Sequence, residues 1–165
     1  MDKIVVTGPE SSGKTTLCND IASHFKLSQS KEYARTYLKK KGNEYMQEDL
    51  LRIAKGQLNS EKDNIVLDTD LITIKIWSEY KFGNCDTWIL DKIEEQQNEI
   101  RLYLLCKPDI PWESDPLREN PNDRMELFEI YKMELDNLEH NYYIVEGKDR
   151  LEKVIKKIDQ LTSLN

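Results

Sequence analysis

Long apolar runs are missing from this sequence. No window approaches the ~20 consecutive apolar residues that cross a bilayer, and the opening MDKIVVTG enters a strand without a signal-peptide core, so neither a membrane span nor secretion is expected. Cysteine is scarce as well. Cys18, Cys85 and Cys106 are odd in number and scattered, with no CxxC pair and no histidine beside them. That argues against a disulfide framework or a zinc site, and for reduced thiols in the cytoplasm. His24 and His140 stand alone and enter no constellation. Positive charge is the third shortage: 24 Lys and Arg against 31 Asp and Glu give a formal charge of -7, which repels a phosphate backbone and makes a nucleic-acid partner unexpected. The one basic run, Lys39 to Lys41, reads as a solvated helix end. Repeats, low-complexity tracts and Pro/Gly linkers are absent too. With 38% hydrophobic and 33% charged residues, residues 1–165 read as a single folded domain.

Short apolar runs alternate with longer stretches of helical period, the pattern of an α/β protein. Lys3 to Thr7 reads as a buried strand, and Leu17, Ile21, Ala22 and Phe25 behind it recur at helical spacing. A weak second strand is expected over Leu27 to Glu32, then a helix with the stripe Met46, Leu50, Ile53, Ala54 and Leu58. Ile65 to Leu67 is a third strand ending in Asp68, with helical character from Leu71 to Tyr80. Arg101 to Cys106 is a fourth strand. Pro108, Pro111, Pro116 and Pro121 exclude a continuous helix from the segment behind it, so residues 109–124 are expected to form a loop able to act as a lid. Leu127, Tyr131, Leu135 and Leu138 mark a helix, Tyr142 to Val145 a fifth strand, and Leu151, Val154, Ile155 and Ile158 a last helix. Crossover helices between strands imply a mainly parallel sheet with helices on both faces.

Gly8-Pro9-Glu10-Ser11-Ser12-Gly13-Lys14-Thr15 matches GxxxxGK[ST], the Walker A form of a P-loop NTPase, and Thr16 continues it. Glycines let the backbone curl so that several N–H groups face a phosphate at the positive end of a helix dipole. Lys14 supplies a charge to the β- and γ-phosphates of ATP, and the Thr15 hydroxyl suits Mg2+. Asp68, at a strand end, suits the same metal; the plainer reading is a helix N-cap, a role Asp70 can fill instead. A GTP switch is not indicated. Asp68-Thr69-Asp70-Leu71 has no glycine where DxxG requires one, and Cys106-Lys107-Pro108-Asp109 lacks the asparagine of NKxD. Sensor elements of a motor ATPase are not identifiable, which leaves a kinase for a small acceptor, or else an ATPase or switch with a protein partner. Arg118 and Arg124 lie in the lid segment, where they can neutralise transferring phosphate or simply be solvated. Glu32 and Arg35 follow the second strand at the mouth of the sheet, and Glu32 can accept an acceptor hydroxyl proton or be an ordinary surface acid.

These residues resemble the NadR-type ribosylnicotinamide kinases of the nucleoside-kinase group. The resemblance runs through GPESSGKTTL, EYAR, EDLLRIAKGQ, DTDLITIKIWSEYKFG, LCKPDIPWESDPLREN with Arg124 behind it, and YYIVEG with Arg150. It implies a five-stranded parallel sheet and ATP-dependent phosphorylation of the 5′-hydroxyl of nicotinamide riboside, a step of NAD biosynthesis. Carried over by position, Asp68 is the magnesium-side acid, Arg118 to Arg124 the lid, and Gly147 to Arg150 the loop near adenine. Asp70, Trp77 and Trp112 become candidates to hold the ribose and stack on the pyridinium, although a tryptophan at helical spacing equally suits a core. Longer family members carry a nucleotidyltransferase domain and some a DNA-binding segment. With Met1 seven residues before Gly8, neither is expected here.

Overall fold

Alternate residues of the central strands bury on opposite sides, and that alternation sets the architecture. A computed structural model of the chain describes residues 2–42, 44–116 and 118–162. The elements run β1 (Lys3–Thr7), α1 (Lys14–Phe25), β2 (Gln29–Ser30), α2 (Tyr33–Lys41), α3 (Gln47–Glu61), β3 (Val66–Asp68), α4 (Leu71–Phe82), α5 (Thr87–Gln96), β4 (Arg101–Cys106), α6 (Arg124–Asn137), β5 (Tyr142–Val145) and α7 (Arg150–Thr162). The five strands form one sheet in the order β2-β3-β1-β4-β5, and every pairing is parallel. Val5, Leu67, Tyr103 and Leu105 point into one core with Leu38, Ile53, Ile72 and Leu135. Ile4, Val6, Val66, Leu102 and Leu104 point into the other, against Leu17 and Ile21 of α1 and Val154 and Ile158 of α7. A sheet apolar on both faces must be covered on both, which is why its strands are parallel and its connections helical. Among the described residues no helix is long and apolar enough to cross a membrane.

β1 lies between β3 and β4, with register Ile4 to Val66 on one side and Ile4 to Leu102 on the other. The chain builds β2 and β3 to one side of β1, then crosses to build β4 and β5 on the other. A crevice opens at such a switch point, outside the carboxyl ends of the strands. The loop after β1 sits there.

Three elements depart from expectation. The second strand shrinks to Gln29–Ser30, because it pairs only with β3, itself three residues long. Met46, placed in the apolar stripe of the third helix, stands at that helix's N-cap and is 69% exposed. The helix α5 was not anticipated, although Asp86 accepts the Trp88 N–H as an N-cap and Ile89 and Ile93 bury at helical spacing. Lys39 to Lys41 form the last turn of α2, as a solvated helix end should.

Close packing of α2 on α3 depends on Gly56, where an added Cβ would lie 2.2 Å from the Tyr33 ring. The same contact holds the start of α2, and with it Glu32 and Arg35, at the mouth of the sheet. Elsewhere the core contains charge. Arg101 is buried against Glu61 at 2.9 Å, Glu99 at 2.8 Å and Asp70 at 3.5 Å. One guanidinium thus faces three carboxylates, and Glu61 Oε1 is buried without a hydrogen-bond partner. Burial and the Asp70 charge outweigh Arg101 and push the Glu61 carboxyl up to about 7.

Gly56→Ala should destabilise the fold by about 1 to 2 kcal/mol in urea denaturation, because overpacking against Tyr33 exceeds the ~1 kcal/mol that alanine gains in a helix. A stabilised variant would show that the Tyr33 ring yields freely. Glu61 binds its proton more tightly folded than unfolded, so its contribution is present below the ordinary carboxylate range and is lost as pH rises through about 7. Glu61→Gln should therefore lose less stability than the unmutated protein between pH 5 and pH 8. A shift from 4.5 to about 7 sets the difference at roughly 3 kcal/mol or less. Parallel pH profiles for the two proteins would contradict this reading of the cluster.

Candidate active site

The loop after β1 crosses the end of β4 so closely that a side chain is excluded. Gly8 has φ of 130°, and a Cβ there would lie 2.6 Å from the Cys106 carbonyl oxygen. Beyond it the chain turns back over itself: the Ser12 hydroxyl donates to the Pro9 carbonyl at 2.7 Å, and the Lys14 amine reaches the same carbonyl at 2.7 Å. Gly13 caps α1 without any side-chain acceptor for the helix's first N–H groups. Those donors face the crevice, at the positive end of the helix dipole, and can take phosphate oxygens.

Thr15 and Asp68 meet at the head of α1, where the threonine hydroxyl donates to Asp68 Oδ2 at 2.7 Å. Asp68 Oδ1 is buried and has no partner. Burial raises the Asp68 carboxyl above its ordinary range, and the Glu32 charge adds to the effect. A buried carboxylate with an idle oxygen beside a hydroxyl fits a hard cation. Among the described residues no group of three or more His, Cys, Asp or Glu converges on one point. Magnesium would therefore find two protein oxygens and complete its shell with phosphate and water.

From the loop a cavity of about 250 Å³ runs toward α2, α4 and α6. Gly8 to Thr16 form one end. Glu32 and Arg35 stand on one side, and Leu38, Ile76, Trp77, Leu127 and Tyr131 supply apolar walls. The sequence matches the family described as an AAA domain over residues 3–153, more than half of its length. The chain belongs to that family. In fold this AAA-domain chain is similar to NadR protein in complex with NR, at TM-score 0.69 and 21% identity over 99% of this chain and 52% of that one. NadR protein in complex with NAD and AMP-PNP gives TM-score 0.75 at 21% identity, over 99% of this chain and 50% of that one. Deoxyadenosine kinase from M. mycoides with bound dCTP gives TM-score 0.63 at 16% identity, over 96% and 99%. The AAA-domain chain thus spans about half the length of the NadR chains. No curated protein matches it significantly.

Residues 109–116 and 118–123 of this AAA-domain protein fold over the loop and are tied to it by several bonds. The Glu113 N–H donates to Ser11 Oγ at 2.9 Å, and the Glu119 and Asn120 N–H groups donate to the Glu10 carboxylate at 3.0 and 2.9 Å. Arg118 reaches Ser11 Oγ at 3.4 Å and also the Glu113 carbonyl. Arg124, the first residue of α6, donates to the Ser11 carbonyl at 3.0 Å and the Ile110 carbonyl at 3.1 Å. Trp112 stands beside both arginines, with centroid distances of 5.9 and 5.6 Å, and is not among the cavity's lining residues. Arg35 pairs with Asp115 at 2.8 Å and lies 3.8 Å from Glu32, linking the mouth of the sheet to the same segment. On the far side Arg150 donates to the Ser12 carbonyl at 2.6 Å and the Lys107 carbonyl at 3.0 Å, and pairs with Asp109. Burial pushes the Asp109 carboxyl up, but the Gly147 N–H and Arg150 outweigh it and hold it below the ordinary range.

Asp70 corrects the reading from sequence. Expected beside the acceptor, it is fully buried on the other side of its turn. There it accepts the Tyr103 hydroxyl at 2.7 Å and the Ile72 N–H at 3.1 Å, and faces Arg101. Its oxygens are spent on the core and on capping α4. Trp77 does face the cavity, and its indole N–H is fixed by the Tyr45 hydroxyl at 2.8 Å. Sequence reasoning missed Leu38, Thr73, Ile76 and Tyr131 as cavity walls. Each belongs to an apolar or mixed helical face of the kind that usually packs inward, so only the tertiary arrangement separates wall from core.

Asp68→Asn should leave the melting temperature without nucleotide unchanged or higher at pH 7, because it removes a buried, under-solvated charge and keeps an acceptor for Thr15. The same change should weaken Mg-ATP binding by on the order of 10- to 100-fold, the typical cost of losing a group that orients a metal. Calorimetry with and without magnesium measures both. A lower melting temperature with intact Mg-ATP binding would make Asp68 a structural cap.

Proposed function

We infer that this chain is an ATP-dependent kinase that phosphorylates the 5′-hydroxyl of a nucleoside-like acceptor, with nicotinamide riboside the best-supported substrate. The observation that carries this reading is the cavity: the phosphate-binding loop opens into a half-apolar chamber with a carboxylate, Glu32, at its side. A hydrolase needs room for one water. The fold likeness to nucleoside-binding proteins and the NadR-type motifs support the same conclusion.

In this reading the loop from Gly8 to Thr16 holds the phosphates, with Lys14 leaving Pro9 to meet the γ-phosphate. Thr15 and Asp68 would hold magnesium, which would supply positive charge against the phosphates. Glu32 takes the acceptor's hydroxyl proton, the acceptor oxygen forms its bond to the γ-phosphorus, and the bond from that phosphorus to the β-bridging oxygen breaks to release ADP. Residues 109–124 act as a lid that excludes water. Within it Arg118 exchanges the Ser11 hydroxyl and the Glu113 carbonyl, and Arg124 the Ser11 and Ile110 carbonyls, for phosphate oxygens as charge spreads in the transition state. Gly147 and Arg150 border the adenine side. Trp77 walls the acceptor chamber, and a cationic pyridinium ring suits a site with an aromatic wall and an acidic neighbour. Trp112 and Arg35 orient the lid against that chamber. The family description as an AAA domain supports a second reading, an ATPase acting on a protein partner.

Purified protein with Mg-ATP and a panel of nicotinamide riboside, thymidine, deoxycytidine and adenosine should give the nicotinamide riboside monophosphate in preference, identified by mass. Glu32→Gln should cut transfer by roughly 10²- to 10⁴-fold with ATP binding nearly intact. Lys14→Ala should shrink the Mg-ATP melting shift. A deoxynucleoside as the better substrate would preserve the class and sink the specificity. ATP turnover with no acceptor labelled would hand the protein to the second reading.

A further inference from the structure

We propose that Glu119 is a positioning residue for phosphoryl transfer, joining the Trp77 wall of the cavity to the phosphate-binding loop through the Tyr45 hydroxyl. The inference rests on the kinase reading of this site. Three segments distant in sequence converge here. Tyr45 lies in the connection before α3, Trp77 and Lys81 lie on α4 one turn apart, and Glu119 belongs to the segment that folds over the loop. The Tyr45 hydroxyl donates to Glu119 Oε2 at 2.7 Å and accepts from Trp77 Nε1 at 2.8 Å and Lys81 Nζ at 2.6 Å. A phenol has one proton and two lone pairs, so this oxygen is fully used. Lys81 also pairs with Glu119 Oε1 at 2.8 Å, and the Tyr45 and Trp77 rings meet edge to face at 5.0 Å. The Glu119 N–H is held at the same time by Glu10 of the loop at 3.0 Å.

One residue therefore touches the phosphate end of the cavity through its backbone and the aromatic wall through its side chain. An acceptor lying against Trp77 is registered to the loop through three hydrogen bonds, Trp77 to Tyr45, Tyr45 to Glu119 and the Glu119 N–H to Glu10. The bond between Tyr45 and Glu119 carries this connection more than the ion pair does. The Tyr45 residue is buried at 8% exposure, whereas the Lys81 and Glu119 side chains are 34% and 40% exposed and their pair is screened by water. Tyr45 remains a neutral donor, since burial and the Glu119 charge both raise its phenol well above the ordinary range.

Kinetics with Mg-ATP and the preferred nucleoside separate positioning from mere stability. Tyr45→Phe and Glu119→Ala should each lower kcat/KM for the acceptor by about tenfold, a modest loss for a misplacement well under 1 Å, while the Kd for Mg-ATP changes less than twofold. Glu119→Gln, which keeps an oxygen for Tyr45, should recover to within about threefold of the unmutated protein. The double variant Tyr45→Phe/Glu119→Ala should be no worse than either single one, because both remove the same link. Additive losses, no recovery by glutamine, or equal losses in ATP affinity and transfer would overturn the proposal. If the unmutated protein phosphorylates no acceptor, the kinase reading fails by itself. Trypsin cleavage after Arg118 then tests the link: Tyr45→Phe leaves the cleaved sequence intact and should speed cutting severalfold, and unchanged cutting would refute it.

Discussion

The contact between the Gly8 α-carbon and the Cys106 carbonyl governs the rest of the site. At this approach only a hydrogen fits where a side chain would begin, and the loop can lie flat across the end of β4. That single close approach sets the turn back over Pro9, the uncapped start of α1, and the arrival of Thr15 beside Asp68. β1 and β4 are neighbours because the sheet switches direction at β1, so topology and loop chemistry meet in one contact.

Around this point the fold spends its charges in two ways. Near the loop, Arg118, Arg124 and Arg150 occupy backbone carbonyls of Ser11, Ser12, Ile110, Glu113 and Lys107, which orders a segment containing three of the chain's five prolines. A peptide carbonyl is a weaker partner for a guanidinium than a charged oxygen is, so these contacts bind their arginines less firmly than carboxylates would. In the core, Arg101 is committed to Glu61, Glu99 and Asp70 and cannot leave without stranding buried carboxylates. The two groups of arginines differ in burial and so in availability.

The cavity's second wall has a different origin. α2 reaches the mouth of the sheet because Gly56 admits the Tyr33 ring, and α4 offers Trp77 because Asp70 caps its first turn from inside the core. Glu32 and Trp77 therefore face one chamber through two unrelated packing events. A change at Gly56 or Asp70 would move the walls of this chamber without touching a residue that lines it.

What the sequence determined by itself was everything that local chemistry encodes. The strand, glycine loop and helix from Lys3 to Phe25, the apolar runs of the third, fourth and fifth strands, and the Pro-broken segment were legible because period, loop spacing and proline act within a few residues. The glycine loop that lines one end of the cavity was legible for the same reason. Tertiary structure alone decided the two-residue length of β2, which depends on a short partner, and the burial of Asp70, which needed Arg101 and Tyr103 from a strand thirty residues away. It also decided which of Leu38, Ile76 and Tyr131 line a cavity, since an apolar side chain looks the same in sequence whether it meets another helix or a ligand. Partners far along the chain are set by the summed packing of the whole domain, and no local pattern records them.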